Sequence, residues 1–210
     1  MGAGQSCHGP EVSCTECTDA EEHYVLVPLG LAATPIFTLA SEFQIAGRHS
    51  LASYHTSIIF GNWELSFSEL GIAKFATTPG TLWSHEKYDQ RKTRVLGKGF
   101  TEHTAEDVVN ALGPYFQPHT YDLLRKNCNN FCDCILRLAT GEGIDPEFDR
   151  LDKLGQRFVR SGDLGMLNSL GISYTPNPAA NGFEVVQVIQ ALRNDLTEDF
   201  EEYFEEVEIY

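Results

Sequence analysis

The sequence predicts an α+β domain, a small antiparallel sheet packed with helices, and three observations predict it. Residues 54–60 (YHTSIIF) and 63–67 (WELSF) are apolar runs that flank Gly61-Asn62, the pattern of two antiparallel strands around a tight turn. Within residues 128–140, Phe131, Ile135 and Leu138 recur at i, i+4 and i+7, the period of a helix with one buried face. Cys128 opens that helix, while His55 lies inside the first of the two strands. A thiol and an imidazole far apart in sequence, on elements that one fold can bring together, are the minimal parts of a thiol hydrolase.

The elements follow in order. Residues 1–22 carry Gly, Ser, Thr and charge without apolar periodicity and read as a mobile leader. Residues 24–29 (YVLVPL) read as a strand that Pro28 places at an edge or an end. Thr34-Pro35 reads as the opening of a helix through Phe37, Leu39, Ala40 and Phe43, because proline suits a first helical turn. After the strand pair, residues 75–98 are loop-rich around Pro79-Gly80 and close on a short strand at 94–96. Thr104, Glu106 and Asp107 start a helix with Val108, Val109 and Leu112 facing inward. The helix from Cys128 stops at Gly141. The boundaries that result are a leader at 1–22, a hydrolase domain at 23–160, a linker at 161–182 that includes NPAANG, and an acidic helical extension at 183–210.

Composition excludes some functions. With 42% apolar and 11% aromatic residues, the 210-residue chain can bury a core. A net charge of −15 opposes nucleic acid, which requires basic surface. Residues 195–208 hold much of that charge without one Lys or Arg. They read first as a solvated helix face and second as a docking segment built on Phe200, Tyr203, Phe204 and Val207. The six cysteines follow no secretory signal, so reduced thiols and a cytoplasmic setting are expected. Gly2 with Ser6 fits the N-myristoylation pattern, and Cys7 is placed for palmitoylation, so association with a membrane surface through an acylated N-terminus is expected too. Neither C-x₃-C-x-C from Cys128 nor the lone Cys14-x-x-Cys17 pair has a strong zinc spacing, and no metal or other cofactor is expected.

The chemistry gathers on Cys128. A helix N-terminus favours its thiolate, and His55 is the base, either taking the proton on attack or resting as an ion pair with it. The Cys128 N–H and the amides of Asn127 and Asn129 are the oxyanion candidates. No third orienting residue stands out, which predicts a dyad; Glu64 either orients polar groups or occupies an exposed strand position. Cys132, one turn on, packs beneath the nucleophile or traps its oxidised form as a disulfide. His85, His103 and His119 sit among polar loop residues with no evident partner.

His55-Thr56-Ser57-Ile58, then Glu64 with Phe67, then Tyr121 through Asn127-Cys128-Asn129-Asn130-Phe131, resemble the PPPDE family over about residues 24–154. Its members include the DeSI isopeptidases, described as removing SUMO or ubiquitin from proteins, with depalmitoylation also proposed. The resemblance implies a papain-like fold in circularly permuted order, with His55 as general base and Cys128 as nucleophile. The glycine that usually follows the family's E-x-x-F is Ser68 here. An isopeptidase acting on ubiquitin-like conjugates is therefore the leading expectation. An LRAT-like acyltransferase or depalmitoylase comes second, and a membrane-tethered adaptor with a dead dyad third.

Overall fold

The computed structural model describes residues 26–38, 52–78, 81–162, 164–169 and 172–194. Gly2, Cys7, the Cys14/Cys17 pair, residues 39–43 of the expected first helix and the acidic run 195–210 lie outside the described residues. Five strands form one antiparallel sheet: β1 (Val27–Thr38), β2 (Ala52–Phe60), β3 (Trp63–Ser68), β4 (Gly71–Ala76) and β5 (Arg94–Thr101), in the order β4-β3-β2-β1-β5. Gly61, at a φ of 53°, makes the tight turn between β2 and β3. The next turn carries Ser68, whose Oγ accepts the Leu70 N–H at 3.3 Å, and Gly71 supplies the positive φ, 89°.

The helix expected from Thr34-Pro35 is instead the second half of β1. This strand is central, paired to β2 and β5 and buried on both faces from Leu29 to Thr34. Pairing with β5 ends at Ala33, so Pro35, which has no N–H to donate, breaks no ladder on that side. A bulge between Pro35 and Phe37 shifts the register against β2. Tertiary pairing overrides the local proline signal.

Helix α1 (Ala105–Leu112) starts from a Thr104–Asp107 capping box and buries Val108 and Leu112. α2 (Cys128–Thr140) lies across one face of the sheet, burying Phe131 and Ile135 against Leu31, Ile58, Leu65 and Phe67, and ends at Gly141 in the left-handed conformation. α3 (Pro146–Ser161) packs on β2, where Phe148 meets the Tyr54 ring edge-on at 5.1 Å. Residues 161–182, read from sequence as a linker, carry α4 (Leu164–Ser169), with Leu167 buried, and a segment tied to Asp122. Residues 185–194 are helical and place Val188 and Ile189 in the core. Among the described residues, no helix is long and apolar enough to cross a membrane.

Candidate active site

The loop before Cys128 is held by one buried carboxylate. Asp122 and Lys126 exchange backbone hydrogen bonds at 2.9 and 3.0 Å, closing a short turn. The Asp122 side chain accepts the N–H groups of Leu124 and Arg125, the Arg125 guanidinium, the Tyr174 hydroxyl and the Asn177 N–H. Burial alone would raise the Asp122 pKa, but Arg125 and the other donors outweigh it and hold it below the usual carboxylate value. This knot delivers the chain to α2 in a fixed direction.

α2 then begins with an asparagine capping box. Asn127 Oδ1 accepts the N–H groups of Asn129 and Asn130, and Asn130 Oδ1 accepts the Asn127 N–H at 3.0 Å. Both amide nitrogens that flank Cys128 are engaged elsewhere. Asn127 Nδ2 donates to Leu123 O and Asp152 Oδ2, and Asn129 Nδ2 donates to Phe148 O and the same Asp152 oxygen. Asn129 Oδ1 accepts the Thr56 hydroxyl at 2.8 Å. The two side chains offered from sequence as oxyanion donors thus build the frame of the helix start instead. The Cys128 N–H, at the first position of α2, has no acceptor in that box and is the donor that remains.

Cys128 itself docks on an open strand edge. β3 pairs with β2 only at Ile58–Phe60, which leaves the edge of residues 52–57 uncovered. The sulfur lies 4.0 Å from the Tyr54 carbonyl, and the Thr56 N–H and hydroxyl and the Tyr121 phenol also reach it. Cys128 therefore sits against the backbone on either side of His55. Its surroundings contradict the expected thiolate: burial raises the Cys128 pKa, Asp152 adds to the rise, and the Thr56 and Tyr121 donors only partly offset it. Cys128 is 4% exposed, so its thiol lacks most of the water that a resting anion would need. Cys132 is fully buried beneath it, with its pKa also raised by burial.

His55 is buried too. Its pKa is lowered to about 3, first by burial and then by His85 and Lys87. Its ring makes no hydrogen bond to Cys128: Nε2 lies 3.0 Å from Ser84 Oγ, and Ser84 in turn donates to Glu64 Oε1 at 2.5 Å. His85 stands beside it, with ring centroids 4.7 Å apart, bonded to Thr34 and Ser57 at 2.6 and 2.9 Å. Burial lowers the His85 pKa to about 4, against a pull upward from Glu64. Tyr88 closes over His55, with ring centroids 5.2 Å apart. At neutral pH the resting pair is an uncharged thiol and an uncharged imidazole, not an ion pair.

Sequence reasoning missed Ser84, His85, Tyr88 and Asp152, which meet the site only across the sheet or from α3. One signal was present: polar residues alternate at His55 and Ser57 and again at Glu64 and Ser66, marking a polar second face on strands that are otherwise apolar. Glu64 is fully buried on that face, not an exposed strand position.

A cysteine at the start of a helix, docked on the strand that bears a histidine, within an antiparallel sheet, defines the papain-like class of cysteine peptidases. The family comparison agrees: the model described as "PPPDE putative peptidase domain" matches residues 17–162, and the chain belongs to that family. No curated protein matches it.

Proposed function

We propose that this cysteine peptidase is an isopeptidase that removes ubiquitin-like modifiers from proteins, with Cys128 as nucleophile and His55 as base. The observation that carries the reading is the docking of the Cys128 sulfur against the β2 backbone on both sides of His55. The imidazole rests neutral, with a lone pair free for a proton, because its pKa lies far below the physiological range. That low pKa also makes it a weak base at rest, so proton transfer has to be coupled to attack of the sulfur on the carbonyl. Proton transfer from Cys128 accompanies attack of the sulfur on the isopeptide carbonyl. The Cys128 N–H donates to the developing oxyanion, a donor of the kind worth about 2.7–4 kcal/mol. The imidazolium then protonates the departing lysine amine, leaving an acyl-enzyme that water hydrolyses.

A groove of about 240 Å³ lined by Ile36, Phe37, Leu123, Leu124 and Leu151 reaches Asp152, beside the start of α2. Its apolar lining favours a second reading, cleavage of fatty-acyl thioesters by the same pair. Ubiquitin, SUMO and fatty-acyl thioester probes with electrophilic C-termini separate the two readings. Capture of one ubiquitin-like probe, lost in Cys128→Ala and His55→Ala, supports the first. Capture of the acyl probe alone supports the second. No capture by folded protein refutes both and leaves an adaptor.

A further inference from the structure

Glu64 is fully buried on β3, and the group that satisfies it comes from a different part of the chain. Ser84, in the 3-10 turn Trp83–His85, donates its hydroxyl to Glu64 Oε1 at 2.5 Å and its N–H to Oε2 at 3.4 Å. The same Ser84 oxygen lies 3.0 Å from His55 Nε2. His85 Nε2 is 3.8 Å from Glu64 Oε1, outside hydrogen-bond range, and its ring nitrogens are taken by Thr34 and Ser57. Ser84 is thus the link between the carboxylate and the histidine.

Counting protons along this chain sets the tautomer. A carboxylate only accepts, so the single Ser84 hydroxyl proton belongs to Glu64. Towards His55 the Ser84 oxygen can then only accept, which requires the proton of the neutral imidazole to sit on Nε2. Nδ1 is left with its lone pair. The same count removes Ser84 as a nucleophile, since its proton is held by Glu64 and not by the imidazole. We propose that Ser84 and Glu64 are positioning residues that hold His55 as the Nε2–H tautomer, making Nδ1 the nitrogen that takes the Cys128 proton. The thiol centre is therefore a four-residue system, Cys128, His55, Ser84 and Glu64, where the sequence alone suggested a dyad.

The assignment of Nδ1 as base rests on the isopeptidase reading, but the tautomer does not, so the test has two arms. Nitrogen-15 NMR of the histidine-labelled free protein should show His55 with Nε2 protonated and Nδ1 bare. Ser84→Ala should mix the tautomers, and Ser84→Thr, which keeps the hydroxyl, should restore the wild-type signature. In turnover, Ser84→Ala should lower kcat about 10- to 100-fold, part of the span that general base catalysis supplies. KM should hold within about twofold, since no substrate contact is lost. A wild-type His55 carrying its proton on Nδ1, or a Ser84→Ala protein with unchanged tautomer and kcat, would overturn the relay. Absence of Cys128-dependent turnover on every probe would remove the isopeptidase reading, with the NMR arm still deciding the tautomer.

Discussion

Asp152 offers the sharpest test of how the start of α2 is held. One of its oxygens, Oδ2, accepts Asn127 Nδ2 and Asn129 Nδ2, each at 2.7 Å, and the side chain is almost wholly buried. Burial is the main cause that lifts its pKa from 3.8 to about 7; Asp149 adds to the rise, and the two amide donors oppose it. At about 1.4 kcal/mol per pH unit, the native state disfavours the charged form by about 4 kcal/mol. The sign follows from proton release. Between roughly pH 4 and 7 the unfolded chain has lost this proton and the folded chain keeps it, so stability falls as pH rises and the loss is complete above pH 7. Asp152→Asn keeps an oxygen that accepts both amides but has no proton to lose. Its stability relative to wild type should be near zero or slightly negative at pH 4.5, and should rise by about 3 kcal/mol by pH 8. Urea unfolding followed by tryptophan fluorescence at four pH values measures this, provided the m-value stays constant. Groups common to both proteins cancel in the difference. Wild-type and variant curves that run parallel across pH would refute the buried, proton-holding carboxylate.

Three further outcomes are expected. Alkylation of Cys128 by iodoacetamide should rise with pH without a plateau below the ordinary thiol range, because burial raises its pKa; a plateau near pH 6 would mean a resting thiolate. Thr56→Val removes the donor to Asn129 Oδ1 and a hydroxyl that favours the thiolate, so it should cost about 1–3 kcal/mol and slow alkylation at fixed pH, measured by denaturation and mass spectrometry. In Gly155→Ala the new Cβ would lie 2.6 Å from Leu124 Cδ2, in a buried contact between α3 and the loop before α2, and thermal unfolding should show a loss of about 1–3 kcal/mol.

The features legible from sequence are those that local physics controls. The turn at Gly61, the Thr104 cap, the apolar stripe of α2 and its stop at Gly141 all depend on residues within a few positions of one another, and all are present. The pairing of a histidine strand with a cysteine helix was legible as well, because two motifs carry it together. Pro35 was misread because its local preference for a helical first turn is small beside the burial of a central strand, and only the sheet reveals that no ladder is broken there. The choice between the two charge states that the sequence left open, a neutral pair or an ion pair, was not legible for a related reason. A helix N-terminus favours a thiolate by a modest amount, whereas how deeply Cys128 and His55 are buried depends on what covers them, and covering is a property of the assembled fold. Sequence by itself determined the class of fold, the two side chains proposed to react and the element that carries each. Tertiary structure alone decided that Asn127 and Asn129 frame the helix, that Cys128 and His55 both rest uncharged, and that Ser84 and Glu64 stand behind His55. The uncharged states require burial by the assembled fold, and the other two outcomes require hydrogen bonds between residues 20 to 30 positions apart, whose partners no local pattern names.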